Sequence, residues 1–389
     1  MLEKIFKGSK RYWYWVGFLL AIIAVGAVSY WQQWKIGLGI TGMGKRVSWG
    51  LYIANFTFLV GVAASAVMVV LPAYIYDYKK FKRITALGEF LAVAAVTMCI
   101  LFVLVDLGRP ERAFNVILHP NPSSVFVYDF IVLFGYLLLN LIICWYVLDA
   151  HRREESPNKL LKFLIFLSIP WAISIHTVTA YIYCGLVGRP FWATALMAPR
   201  FLASAFASGP SLLIIASLVL RKYTDFDPGE DAIRKLSEIV TFALITSMFF
   251  LGCEIYTIGY GGQEEHLLHL KYLLTGIEGH AKLVPWMWLS IILGLAAIVL
   301  LINPSTRKND KTLLIACSMV FVSIWIDKGL GLVIPGYIPA QTGEIFEYWP
   351  TALESLITLG VWGVGILVLT FLYKIAISVL QEIESAATH

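Results

Sequence analysis

The sequence predicts an all-α integral membrane protein of about ten transmembrane helices, on three observations. Of its 389 residues, 59% are hydrophobic and only 14% charged, against about 25% charged in an average soluble domain. The apolar residues lie in long runs, sufficient to cross a hydrocarbon core of roughly 30 Å at about 1.5 Å per residue. Lys and Arg divide unequally between alternate connections, 20 on the side of the N-terminus and 10 on the other. The positive-inside rule then places both termini in the cytoplasm, with the chain passing many times through the cytoplasmic (inner) membrane. The formal net charge of +5 belongs to loops facing the lipid bilayer; no basic, aromatic-rich patch points to nucleic acid.

The first expected span, 12–33, follows Lys4, Lys7, Lys10 and Arg11 as a signal peptide would. Trp13 and Trp15 at one end and Trp31 and Trp34 at the other are about 27 Å apart on a helix, the separation of two interfacial belts, so the segment reads as retained. Spans 49–76 and 85–106 come next; the former carries Asn55 and the latter ends at Asp106. Gly108-Arg109-Pro110 follows, Gly then Pro being an ordinary helix stop. Span 125–149 holds Asp129 a turn from its start, 160–187 holds His176 in its interior, and 200–221 has no acidic residue. Span 236–258 carries Glu254 a turn from its end, and 284–303 is wholly apolar apart from Ser290 and Asn303. The ninth, 312–328, is the shortest and closes on Asp327-Lys328; the tenth, 351–378, opens with Glu354. Between the seventh and eighth, Glu264–Ile277 has the period of a short amphipathic helix lying on the membrane surface. No low-complexity tract divides the chain, so residues 1–389 are expected to form a single membrane domain. The loops opposite the termini are the longer ones, richer in Gly, Pro and aromatics, and suit the docking of another protein.

The ionisable residues within the spans collect by depth. A charge in hydrocarbon costs roughly 2.5–3.5 kcal/mol even on lenient scales, and persists where it faces a bundle interior or a polar cavity. Asp106, Asp129, Glu254, Asp327, Lys328 and Glu354 all fall near the extracytoplasmic boundary, with Asn55 a few residues deeper. They are expected to converge in one water-poor hollow. On the cytoplasmic half stand Glu89 and Glu238, near helix starts where the dipole favours a carboxylate. His176 is the one histidine deep within a span; its neighbours Ser174, Thr177, Thr179 and Tyr181 supply hydrogen-bonding groups. It can take and give protons near neutral pH.

Redox metals find few ligands here. Cys99, Cys144, Cys184, Cys253 and Cys317 share no ligand spacing, so no iron–sulfur cluster is expected and they read as small core residues. A b-type haem usually needs two axial ligands inside the spans, and His119, His266, His269, His280, His151 and His389 lie outside them. Glu265, His266 and His269 could share a metal, but a solvated face of the surface helix is the plainer reading, so no metal site is assigned. A membrane pocket with proton-exchanging groups and no metal suits two chemistries. One is quinone binding with proton exchange; the other is ion-coupled transport, which favours broken helices at the midplane, whereas this polarity is displaced outward.

The order of motifs resembles the NrfD family of membrane subunits, typified by polysulfide reductase. The resemblance rests on Trp49-Gly50-Leu51-Tyr52 leading into Phe58–Ser65, then on Asp106-Leu107-Gly108-Arg109-Pro110-Glu111-Arg112. His119-Pro120, Ser123-Ser124, His176, Gly188-Arg189-Pro190-Phe191-Trp192 and Glu254 follow in order. Ten spans, and Trp349-Pro350-Thr351 with Glu354, are similar to the longer branch that includes the hydrogenase-2 membrane subunit and, most similar of all, the DsrP/HmeB subunit of the sulfite-reduction-associated complex. The resemblance implies two four-helix bundles with flanking helices, no haem in this chain, and an exchangeable menaquinone near the extracytoplasmic face. It implies an extracytoplasmic ferredoxin-like iron–sulfur partner and, in the sulfite-linked assembly, a multihaem cytochrome c, a membrane cytochrome b subunit and a cytoplasmic iron–sulfur subunit. His176 and Asp106 match the polar positions lining the family's quinol pocket, which implies proton exchange or quinone hydrogen bonding. Tyr52 and Asn55 lie on the helix that lines it, and Asp129, Arg109, Tyr181 and Glu254 are the further quinone-binding candidates, Arg109 either fixing Asp106 or docking the partner. Ala64-Ser65 depart from the glycines of many relatives, leaving open how closely that helix approaches its neighbours. The function expected is electron exchange between menaquinol/menaquinone and the iron–sulfur subunit, the activity belonging to the whole complex. The alternatives are a conformation-coupled proton translocator using Glu89 and Glu238, or a passive anchor for redox subunits.

Overall fold

The structure, a computed structural model, describes residues 2–75, 79–153, 158–186, 188–338 and 344–387. The expected span ends at 76 and 187, and His389, lie outside the described residues. Among the described residues ten helices are long and apolar enough to cross a membrane: α1 (Lys10–Ile36), α2 (Leu51–Tyr74), α3 (Arg83–Asp106), α4 (Val125–Ala150), α5 (Lys159–Cys184), α6 (Met197–Tyr223), α7 (Glu230–Gly261), α8 (Val284–Ile302), α9 (Asp310–Tyr337) and α10 (Ala352–Glu382). Among the described residues there is no strand.

Polar caps set several helix starts. Ser9 accepts from the Tyr12 N–H, Asn158 from Leu161 and Asn309 from Lys311, each satisfying an otherwise orphaned donor. Helices α2–α5 pack as one four-helix group and α6–α9 as a second, the two meeting where α2 lies against α6 and α9. Outside them α1 pairs with α10, which rests on α3. Nearly every residue of α2 is buried, whereas α1, α4 and α7 keep large apolar side chains exposed, as lipid-facing helices do. Both chain ends lie together, joined by a Lys4–Glu382 ion pair; the opposite end carries the surface helix Glu264–Leu274 and most of the short 3-10 turns.

Small residues decide how closely the helices approach. A Cβ on Gly26 of α1 would stand 2.5 Å from Gly360 Cα of α10. At the centre, α2 breaks at Ala64, whose N–H turns back to the Gly61 carbonyl. The glycines missing at Ala64-Ser65 are supplied by the neighbours instead: a Cβ on Gly209 of α6 would be 2.8 Å from the Ser65 nitrogen, and one on Gly88 of α3 would be 2.6 Å from Val69. Ser65 Oγ then donates to the Gly88 carbonyl at 3.1 Å. Because backbone cannot move aside as a side chain can, Gly209→Val is expected to lower stability by about 1–3 kcal/mol. A thermal melt in detergent that matches the unsubstituted protein would refute this close contact.

The ninth helix corrects the sequence reading. Gly329 and Gly331 suggest an end near 328, yet α9 continues to Tyr337 through a π-turn at Trp325–Leu330. Its glycines serve packing, not termination: a Cβ on Gly329 would meet the Ala54 carbonyl of α2 at 3.0 Å. Asp327 and Lys328 therefore lie about 15 Å inside the helix end, at about 1.5 Å per residue.

Candidate functional site

Asp106 ends α3 because Gly108 and Pro110 follow, and Leu107 already has extended backbone. It is partly exposed, but its Oδ1 is buried and has no hydrogen-bond partner among the described residues. Beside it the buried Tyr52 hydroxyl donates to Gln33 Oε1 at 2.7 Å, and Gln33 Nε2 donates to the Val105 carbonyl at 2.6 Å. Asp106, Glu354 and Tyr30 all lie within electrostatic reach of Tyr52. Glu354 itself is engaged as a cap. It accepts from the Gly42 and Thr351 N–H groups at 2.8 and 2.7 Å and from Tyr348 Oη at 2.7 Å. Thr351 Oγ1 in turn accepts from the Glu354 N–H, a reciprocal capping box at the start of α10.

His176 sits on α5 beyond Pro170, which removes a backbone bond to the Phe166 carbonyl. The imidazole is fully buried, and neither ring nitrogen has a partner among the described residues. The charged side chain that bears on it is Lys328. Lys328 Nζ donates to the Phe201 carbonyl at 3.3 Å and lies over the Phe201 ring at 4.2 Å. Nearby, Asp129 Oδ1 accepts from Thr179 Oγ1 at 2.7 Å, wholly within the first bundle.

A third group is an ion cluster in the second bundle. Arg200, at the start of α6, is bound to Glu254 of α7 and, at 2.5 Å, to Asp327 of α9. Lys328, the next residue of α9, adds a second basic side chain beside this cluster.

Hydrogen bonds and ion pairs sort the candidates into three groups, of which the second and third share Lys328. Trp49, Tyr183, Trp192 and Tyr337 pack among them, Trp49 standing 5.7 Å from both the Tyr183 and Trp192 rings. Tyr183 bonds Thr57 through its hydroxyl and feels both Asp106 and Asp129. Tyr181, two residues away and so turned through about 200° on the helix, is 52% exposed, whereas Tyr183 is buried. Asn55 braces helices: its Nδ2 donates to the Leu51 carbonyl at 2.8 Å, and its Oδ1 accepts from Trp325 and Trp362 at 3.1 and 3.0 Å. Arg109 does not fix Asp106, since it points outward and pairs with Glu111 at 3.5 Å. Arg200, Tyr30, Gln33 and Tyr183 were missed. The sequence signal for Arg200 was two acidic residues at matching depth with one unassigned cation at the head of span six.

Two expectations elsewhere change. His269 is not on a solvated face: it is buried, with Nδ1 2.7 Å from the Pro335 carbonyl and 2.8 Å from that of Ile338. Burial holds its imidazole below the ordinary value, so a neutral ring donates and clamps the surface helix to the end of α9. Among the described residues no group of three or more His, Cys, Asp or Glu could hold a metal. Glu89 is buried against Cys144, but Glu238 is at the surface, paired with Lys235 at 2.7 Å. Those two carboxylates do not line a common path.

Comparison with known proteins agrees with the helical plan. The family pattern described as Polysulphide reductase, NrfD matches residues 39–341, from the loop after α1 to the end of α9. The membrane subunit of a putative dimethyl sulfoxide reductase from Halobacterium salinarum is 25% identical, over 91% of this chain and 88% of the relative. An Hdr-like menaquinol oxidoreductase integral membrane subunit of Archaeoglobus fulgidus is 26% identical, over 92% and 91%. A selenate reductase subunit of Mesobacillus selenatarsenatis is 24% identical, over 95% and 96%. These relatives do not single out the sulfite-linked branch. With more than half its length matched and ten apolar helices in place, the chain belongs to the polysulphide reductase NrfD family.

Proposed function

We propose that this chain is the quinone-facing membrane subunit of a respiratory redox complex, passing electrons between menaquinol and an iron–sulfur subunit docked on the loop-rich end. The observation that carries the reading is Asp106: a carboxyl with a buried, unpartnered oxygen, at the membrane boundary, next to the Tyr52–Gln33 hydrogen bond. Such a group can accept a quinol proton. Electrons leave separately, to the ferredoxin-like partner. Family membership supports the reading, as does the name of the Archaeoglobus relative, a menaquinol oxidoreductase subunit. The other relatives are named for dimethyl sulfoxide and selenate reductases, which fits a terminal substrate set by the partners and not by this chain.

In this reading the loop-rich end faces away from the cytoplasm, as the Lys and Arg bias favours, and His176 is a second proton-exchanging group deeper in the first bundle. The cleft beside Gln33, of about 10 Å³, is too small to take the quinone ring, which binds outside it. In a sulfite-linked assembly, one of the two the resemblance implies, the further partners would be a multihaem cytochrome c, a cytochrome b subunit and a cytoplasmic iron–sulfur subunit. In purified complex, Asp106→Asn is expected to lower menadiol-dependent reduction of the iron–sulfur partner by about 10²-fold, with the subunits still co-purifying. Full activity in the variant would reject the assignment.

A further inference from the structure

Helix α1 lies outside the stretch matched to the family, which begins at residue 39. It nevertheless reaches the candidate site. Tyr30, Gln33 and Trp34 of α1 face Leu107, Gly108 and Pro110 across a cleft of about 10 Å³, about the space one water occupies. The Tyr30 hydroxyl is buried and, like Asp106 Oδ1, has no partner among the described residues. A buried polar atom without a partner is costly, and a water bridging several such atoms relieves it. Gln33 Oε1, already accepting from Tyr52, has a second lone pair free for that water. On the outer side, Tyr30 lies within electrostatic reach of the exposed Glu111.

We propose that α1 supplies a proton exit from the quinol site: from Asp106, whose chain neighbours Leu107 and Gly108 line this cleft, to a water held there, on through the Tyr30 hydroxyl, and out at Glu111, which follows Pro110 on the same wall. The inference rests on the quinol reading above. Oxidation of one quinol releases two electrons, which the iron–sulfur partner accepts, and two protons. Each proton taken up by Asp106 as a new O–H bond is matched by one passed to the water. The water protonates the Tyr30 oxygen as that hydroxyl gives up its own proton toward Glu111 and bulk solvent. Glu111 suits the outer end. Its carboxyl is exposed, beside Arg109, and lies within electrostatic reach of Tyr30, so a proton arriving there passes to bulk solvent.

The test uses the purified complex, with menadiol as donor and absorbance of the iron–sulfur partner as readout. Tyr30→Phe keeps the ring and removes the hydroxyl; Glu111→Gln is a surface change. Tyr30→Phe is expected to lower kcat about tenfold, at or below the low end of what a positioned proton donor contributes. KM for menadiol stays constant, the solvent deuterium isotope effect rises, and azide or another small acid restores the rate. Glu111→Gln is expected to give a smaller loss in the same direction. A merely structural role for Tyr30 would yield neither the isotope effect nor the rescue. If Tyr30→Phe keeps full kcat while Asp106→Asn loses activity, the exit route is wrong and the quinol reading stands. If Asp106→Asn is also fully active, both fall.

Discussion

Replacing Arg200 by Met is expected to leave Glu254 and Asp327 facing one another in the second bundle without their shared cation. Removing one member of a buried ion cluster costs roughly 3–5 kcal/mol, because the remaining charges stay desolvated. Arg200 joins α6 to α7 and α9, so the loss falls on the contacts that hold the bundle together. The measurement is folded yield and melting temperature in detergent. Its control is the triple variant Arg200→Met, Glu254→Gln, Asp327→Asn, which removes charge of both signs together. The triple variant is expected to recover much of the loss, because neutral amides can be accommodated where lone carboxylates cannot. A single variant as stable as the starting protein would show that the cluster is not an energetic keystone of the fold. Lys328, adjacent to Asp327 on α9, would lose the repulsion of the Arg200 guanidinium in the single variant.

The second large effect is expected at His176. Changing it to Ala should reduce menaquinol-dependent electron transfer by about 10²-fold or more, the contribution of a well-placed acid–base group. The subunits should still assemble, since neither ring nitrogen has a partner among the described residues whose bond would be broken. The comparison to make is turnover of the intact complex against the amount of co-purified partner. Turnover equal to the unsubstituted complex would remove His176 from the chemistry and leave it a buried core side chain. The Lys328 ammonium, the charge that bears on it, gives the histidine a setting unlike that of an isolated imidazole in a helix core.

How much of this was legible beforehand differs residue by residue. Asp106, Glu254 and His176 announced themselves because a polar side chain in an apolar run needs a reason to be there. Tyr181 and Tyr183 both follow His176 in the sequence; only the direction in which α5 faces α2 separates the buried ring from the exposed one. Asn55 read as a ligand, but two indoles from α9 and α10 engage its carbonyl oxygen. Neither contact leaves a trace in local sequence. Glu354 read as a member of the acidic cluster, yet Thr351 three residues earlier already spelled a capping box.

The sequence alone determined the class of molecule, the number of helices and which ionisable residues lie within them. Hydrocarbon admits only backbone that satisfies itself, and a charge within it must be sheltered, so length and apolarity suffice for those conclusions. Tertiary structure decided which charges meet, that the hollow expected among them is occupied by aromatic rings, and that α9 runs on past its glycines. Those outcomes depend on the rotation and close approach of helices far apart in the chain, set by contacts such as Gly209 on Ser65 and Arg200 between α7 and α9. Such contacts are properties of pairs of helices, and no single segment encodes them.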